Sequence, residues 1–239
     1  MKRFWNTATL HSTDAGHAVL LDGKPLRIPG RAGGAPLSIP TLPLAEAITA
    51  EWQAAGGAKD GELSMEHVPL TRLAGTAQDR ILPYPAPVAA ALAAYGESDL
   101  LCYRAEHPEE LVRRQAQAWD PWLDWAAEVC GARLRVAQGV MHVKQDPAAL
   151  QAIQGAYANQ AVPVLAALSI AVPALGSAVL GLALADGALD AAEAHRIAGL
   201  DEAFQTEKWG EDSESAIRRQ RTADDIALAE QFIRLSRVN

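Results

Sequence analysis

The chain has 239 residues, with 21 Lys and Arg against 29 Asp and Glu, so its formal net charge is −8. That length allows a substantial core, and an acidic chain gains nothing from counterion release at phosphates, which argues against nucleic acid as a partner. Two cysteines, Cys102 and Cys130, make no disulfide framework and point to a reducing compartment; with no secretory signal in the opening residues, a cytoplasmic protein is expected.

Alanine divides the chain: 13 of its 49 alanines precede Pro85 and 36 follow. A turn-rich first third and an alanine-rich remainder predict an α+β protein of two domains. These are a small N-terminal strand-rich α+β domain, 1–84, and a larger all-α helical domain, 85–239. Pro83, Pro85 and Pro87 stiffen the boundary.

In chain order, Phe4 to Leu10 is predicted as a strand because Trp5, Thr7 and Thr9 alternate with other residue types. His17 to Leu21 and Lys24 to Ile28 flank Asp22-Gly23, a pair that supplies the positive φ of a tight turn, so a hairpin is expected with Pro25 on an edge. Gly30 to Gly34 reads as a loop. Leu44 to Ala54 is predicted helical: Leu44, Ile48, Glu51 and Trp52 fall at turn spacing, Pro43 suits the first turn and Gly56-Gly57 ends it. Residues 97–103 fit either a short strand or a helix end.

Farther along, Asp120-Pro121 reads as an N-cap and first helical proline, opening Trp122 to Val129 and stopping at Gly131. Asp146-Pro147 repeats that start. Asp190 is expected to cap a helix running to about Trp209-Gly210, and Ser213-Glu214 to open a last helix. Between Pro147 and Ala185 there is no Asp, Glu, Lys or Arg, the pattern of a membrane span. Small residues dilute that run, Pro163 and Pro173 interrupt it, and its acidic flanks Asp146 and Asp186 carry no positive cluster. Two buried helices broken near Pro173 are expected, with no membrane insertion.

Signatures of chemistry are missing. Gly23-Lys24 lacks the upstream glycine of a phosphate loop, since Ala18 stands there, and Pro25 replaces the Mg²⁺-binding hydroxyl. Ser177, within an apolar run, reads as small-residue packing rather than a nucleophile. His11, His17, His67, His107, His142 and His195 form no pair at ligand spacing, so neither metal nor cofactor is expected. Trp119, Trp122 and Trp125 read as core. The segment Glu202 to Asp212 sets Trp209 in an acidic helix end, either a solvated terminus or a binding surface.

Several blocks together resemble the ATP synthase assembly chaperone family, which contains the mitochondrial assembly factor for the F₁ α subunit and its proteobacterial relatives. They are Lys2-Arg3-Phe4-Trp5, Leu21 to Leu26, Ala50-Glu51-Trp52, Pro69 to Leu73, Leu101 to Arg104 with Pro108, Trp119-Asp120-Pro121 with Trp125, and Glu202 to Gln205 with Lys208-Trp209-Gly210. The resemblance implies the same two-domain fold and binding in place of catalysis. The implied partner is the unassembled α subunit of the F-type ATP synthase catalytic head, kept from aggregating until it pairs with β subunits. It also implies partner-binding residues in the helix ending at the tryptophan-glycine pair: Glu202 at the family's acidic position, with Gln205, Glu207, Trp209 and Gly210 beside it. Trp52 and Trp119 match family tryptophans of structural type. The absence of a transit peptide fits a bacterial cytoplasmic member, where eukaryotic relatives work in the mitochondrial matrix. The rival expectation is a soluble enzyme using Glu202 or Glu207 as general acid or base. An enzyme needs those carboxylates in an enclosed pocket, a binding protein on an open face.

Overall fold

Asp22 and Gly23 turn the chain at φ of 46° and 78°, both positive as a two-residue hairpin turn requires. In the computed structural model, which describes residues 2–13, 16–28, 34–139, 141–210 and 212–237, this turn joins β2 (Gly16–Leu21) to β3 (Lys24–Pro25). β1 (Ala8–Thr13) pairs with the other side of β2, giving an antiparallel sheet ordered β1-β2-β3 with Pro25 on its edge. The first strand begins four residues later than its alternation predicts. Trp5 is fully buried with its indole N–H on the Trp52 carbonyl at 3.1 Å. The Asn6 and Thr7 N–H groups donate to the Asp22 carboxylate, at 3.1 and 2.9 Å, instead of to a strand. Those donors hold the Asp22 carboxyl below its usual range. The third strand is shorter than expected; beyond it the Leu26 N–H still donates to the Val19 carbonyl at 2.8 Å, and Arg27 and Pro36 form an isolated bridge. Of the loop expected at Gly30 to Gly34, all but Gly34 lies outside the described residues.

Helix α1 (Leu42–Ala54) buries Leu44, Ala45, Ile48 and Trp52, the face its spacing predicts. Past its end, Arg3 is buried and its guanidinium donates to the carbonyls of Gln53 at 2.9 Å, Ala55 at 3.2 Å and Gly57. A cation on the last carbonyls of a helix satisfies acceptors that have no partner within it. Glu51 plays the converse part for α2 (Pro69–Thr76), which a π-helical turn, Ala77–Ile81, continues. Its carboxylate accepts from Leu70 N at 2.7 Å and from Thr71 N at 3.0 Å and Oγ1 at 2.6 Å, while the Trp52 indole also donates to Thr71 Oγ1. Burial pushes the Glu51 carboxyl up despite these donors. Residues of the N-terminal motifs thus form one polar network behind the sheet.

The chain divides into two compact units, Met1–Tyr84 with Val162–Ala167 and Gln231–Asn239, and Pro85–Ala161 with Leu168–Glu230. Within the first, Thr41 Oγ1 donates to the Leu235 carbonyl at 2.6 Å, and Phe232 and Ile233 are buried. The second opens with α3 (Pro85–Ala93). Two 3₁₀ turns, Ala94–Ser98 and Leu100–Cys102, then lead into β4 (Tyr103–Arg104), so the ambiguous segment 97–103 is mostly 3₁₀ turn. β4 pairs in parallel with β5 (Ala137–Gln138), and among the described residues these are the unit's only strands.

Three helix boundaries depart from expectation. α4 runs unbroken from Glu109 to Val129, with Pro121 inside it. Asp120 caps nothing there, because its carboxylate is the partner of Arg104 at 2.8 Å. The charge-free stretch contains α5 (Pro147–Ala158), α6 (Val162–Leu175) and α7 (Ala178–Asp186). α5 starts as predicted, with Asp146 accepting from Ala148 N at 2.9 Å. Pro173 lies within α6, and the break falls at Gly176, left-handed at φ 63°. Ser177 is therefore a cap and not packing inside a helix: its hydroxyl accepts from Leu180 N at 3.0 Å. Finally, the helix expected from Asp190 to Trp209 is two, α8 (Ala191–Ala198) and α9 (Leu200–Trp209), divided at Gly199. α10 (Ser213–Ser236) follows. No helix among the described residues is long and apolar enough to cross a membrane.

Asp99, fully buried, holds the start of α7. Its carboxylate accepts from Leu101 N and from Val179 N, each at 3.1 Å. Burial nevertheless pushes the carboxyl up to about 6. Burial likewise pushes the Cys102 thiol up to about 12 and raises that of Cys130, so both favour the unreactive protonated form.

Candidate functional site

α9 is a short helix with charges placed by its dipole: Asp201 and Glu202 in its first turn, Lys208 in its last. It ends at Gly210, whose φ of 84° and ψ of 170° suit a residue without Cβ. Phe204 is its one buried residue. By helical periodicity Glu202, Gln205, Thr206 and Trp209 share a stripe opposite Phe204, while Glu207 and Lys208 flank the buried ring. On that stripe Trp209 is 80% exposed and Gln205 is exposed. Glu202 is half-buried, its Oε1 accepting from Arg218 of α10 at 3.2 Å.

Glu207 belongs elsewhere. Both its oxygens accept from Arg114 of α4, at 2.9 and 2.8 Å. Arg114 also binds Glu110 at 2.7 Å, and Lys208 approaches Glu110 at 3.5 Å. The Arg114 and Lys208 cations lie over the Phe204 ring at 5.2 and 5.3 Å. The Arg114 guanidinium holds the Glu110 carboxyl below its usual range, and its carboxylate partners, Glu207 first, raise its own. Five residues predicted as one site thus separate: Gln205 and Trp209 face outward, Glu202 on the same stripe pairs with Arg218 of α10, Gly210 ends the helix, and Glu207 ties α9 to α4. Asp212 accepts from Glu214 N and Ser215 N, both at 3.0 Å, and so starts α10; its neighbour Glu211 lies outside the described residues.

The inner attachments of α9 were not found from sequence. Gln115, 1% exposed, donates to Asp201 Oδ1 at 2.8 Å and accepts from Ala105 N at 2.8 Å. Trp119, fully buried, donates its indole N–H to the Ile197 carbonyl at 3.0 Å, and the Arg104 guanidinium stacks over its ring at 5.1 Å. The i, i+4 spacing of Glu110 and Arg114 is a signal in the sequence that could have pointed to part of this. Trp122 and Trp125, read as core, are half-buried, their ring centroids 6.4 Å apart.

As acid and base, Glu202 and Glu207 are poorly matched: they lie on different sides of α9, each in its own ion pair. Among the described residues no group of three or more His, Cys, Asp or Glu is placed to hold a metal ion. A cleft of about 420 Å³ lies within the first unit, between Pro40, Leu44, Leu82, Pro163 and Phe232, and α9 contributes nothing to it.

An exposed tryptophan on an open, charged helix face has the form of a protein-binding surface. The chain belongs to a chaperone family: the model of the ATP12 chaperone protein family matches residues 2–127. The helical remainder, including α9, is covered by solved structures. The crystal structure of Atp12 from Paracoccus denitrificans is similar at a TM-score of 0.91 and 42% identity, covering 99% of this chain and 98% of that one. A point variant of that protein matches equally. A protein of Agrobacterium tumefaciens, described as a candidate chaperone, is similar at a TM-score of 0.90 and 38% identity, over 99% of this chain and 86% of that one.

Proposed function

We propose that the protein chaperones assembly of the F₁ sector of proton-transporting ATP synthase, binding the unassembled α subunit through the outer stripe of α9 and preventing its aggregation before α/β assembly. A subunit outside its ring exposes apolar surface destined for an interface, and such patches aggregate. A bacterial member would do this in the cytoplasm. The observation that carries this reading is Trp209, 80% exposed. A large aromatic gains by leaving water, and one seated in a partner's pocket often dominates binding. Glu202 on the same stripe supplies a charge that orients the partner and penalises wrong ones. Such a surface holds a client reversibly and needs no nucleotide cycle to yield it to the β subunit.

Light scattering of diluted α subunit tests the reading. Wild type is expected to suppress aggregation at near-stoichiometric ratio, Trp209→Ala to lose most of that protection, and Glu202→Gln to lose part of it. Glutamine keeps the size and hydrogen bonding but removes the charge. Equal protection by all three proteins would remove α9 from the client surface.

A further inference from the structure

α9 presents a structural problem that its outer stripe depends on. Ten residues long and burying one ring, it has too little apolar surface to fix its own rotation. A slip of one residue turns a helix by about 100°, enough to carry Glu202 and Trp209 off the open face.

Polar groups of α4 supply what packing does not. Going back along α4, Trp119, Gln115, Arg114 and Glu110 meet Ile197, Asp201, Glu207 and Lys208 in turn, an antiparallel series. The ion pairs in this series are exposed and worth little. Gln115 is different, because burying a primary amide is costly unless its groups are bonded. Its orientation is forced: the Ala105 N–H can only donate, so Oε1 faces Ala105 and Nε2 must face the Asp201 carboxylate. A buried polar bond of this kind can be satisfied in one register only.

We infer that Gln115 and Asp201 are positioning residues, whose hydrogen bond sets the rotation of α9 and so presents Glu202, Gln205 and Trp209 to the partner. The client half of this inference rests on the reading that α9 binds the α subunit; the positioning half does not.

The test is a charge cycle on the full chain with two measurements, native-state hydrogen exchange of amides 204–209 and protection of diluted α subunit. Gln115→Glu keeps the acceptor for Ala105 N but sets two carboxylates at hydrogen-bond distance. It is expected to accelerate exchange in α9 at least tenfold and to reduce protection in step. Asp201→Asn keeps an acceptor for Gln115 and is expected within about threefold of wild type. The double variant should return to the level of Asp201→Asn, because the asparagine amide then donates to the new carboxylate. Should Gln115→Glu fail to fold, Asp201→Ala is measured instead, with the same local acceleration expected. Unchanged α9 exchange, or a double variant that does not recover, overturns the positioning role. Fast α9 exchange with full protection overturns its link to the client. If wild type and Trp209→Ala protect equally, the client reading falls, while the exchange data still decide the hydrogen bond.

Discussion

Trp52 and Trp209 each stand in the last turn of a helix directly after a charged residue, Glu51 and Lys208, yet one is 3% exposed and the other 80%. The difference lies one and two turns back. Behind Trp52 on its stripe come Thr49, Ile48, Ala45 and Leu44, all but Thr49 apolar; behind Trp209 come Thr206, Gln205 and Glu202, none apolar. The first stripe continues into a core, and its indole N–H finds Thr71 at 2.8 Å. The second offers no apolar residue on the same helical face. A tryptophan's destination is thus decided by the residues sharing its helical face, and charge immediately before it decides little.

The sharpest way to break this comparison is to truncate both. Trp52→Ala should destabilise the first unit by about 3–5 kcal/mol, read from urea unfolding, since it opens a cavity and strands Thr71 and the Trp5 contact. A small effect would mean that the ring is not core.

Acids repeat the contrast more gently. Asp99 is wholly buried and its carboxyl lies at about 6, above an ordinary 3.8. A raised acid stabilises the fold fully below its unfolded value and loses that contribution as pH rises through about 6, a swing of about 3 kcal/mol. Glu110 at the surface is lowered, so its contribution has the opposite sign: present above the ordinary carboxylate range, lost as pH falls through its folded value. Urea unfolding from pH 4 to 7 should therefore show a decline in wild type between pH 4 and 6 that Asp99→Asn flattens. Parallel profiles for the two proteins would contradict the buried assignment.

Smallest of all should be the stability effect of Trp209→Ala, within about 0.5 kcal/mol. A melting temperature that falls by several degrees would place Trp209 among the structural tryptophans after all.

Much of this was legible because it is local. The Asp22-Gly23 turn, the edge position of Pro25, the core face of α1 and the Asp146 cap follow from neighbours a few positions apart. What was not legible depended on distant partners. Asp120-Pro121 has the form of a helix start, and only the demand of Arg104 for a carboxylate shows why Asp120 is otherwise engaged. Pro173 has the form of a break, but it lies inside α6, and the helix ends at Gly176, where the backbone turns left-handed. For the surface, α9 could be proposed from its acids and tryptophan. The separation of Glu207 from Glu202 required Arg114, 93 residues away.

Thr41 and Leu235 are bonded across 194 positions of sequence, and Phe232 and Ile233 lie in the core. On a ribosome, then, the unit begun first is closed last. Its sheet and α1 emerge early, but the stretch Gln231–Asn239 that completes the unit is translated after every residue of the second. Until then the nascent first unit carries an unfinished apolar surface. A fragment ending at Tyr84 would keep that defect permanently, and light scattering at equal concentration is expected to show it aggregating more readily than the full chain.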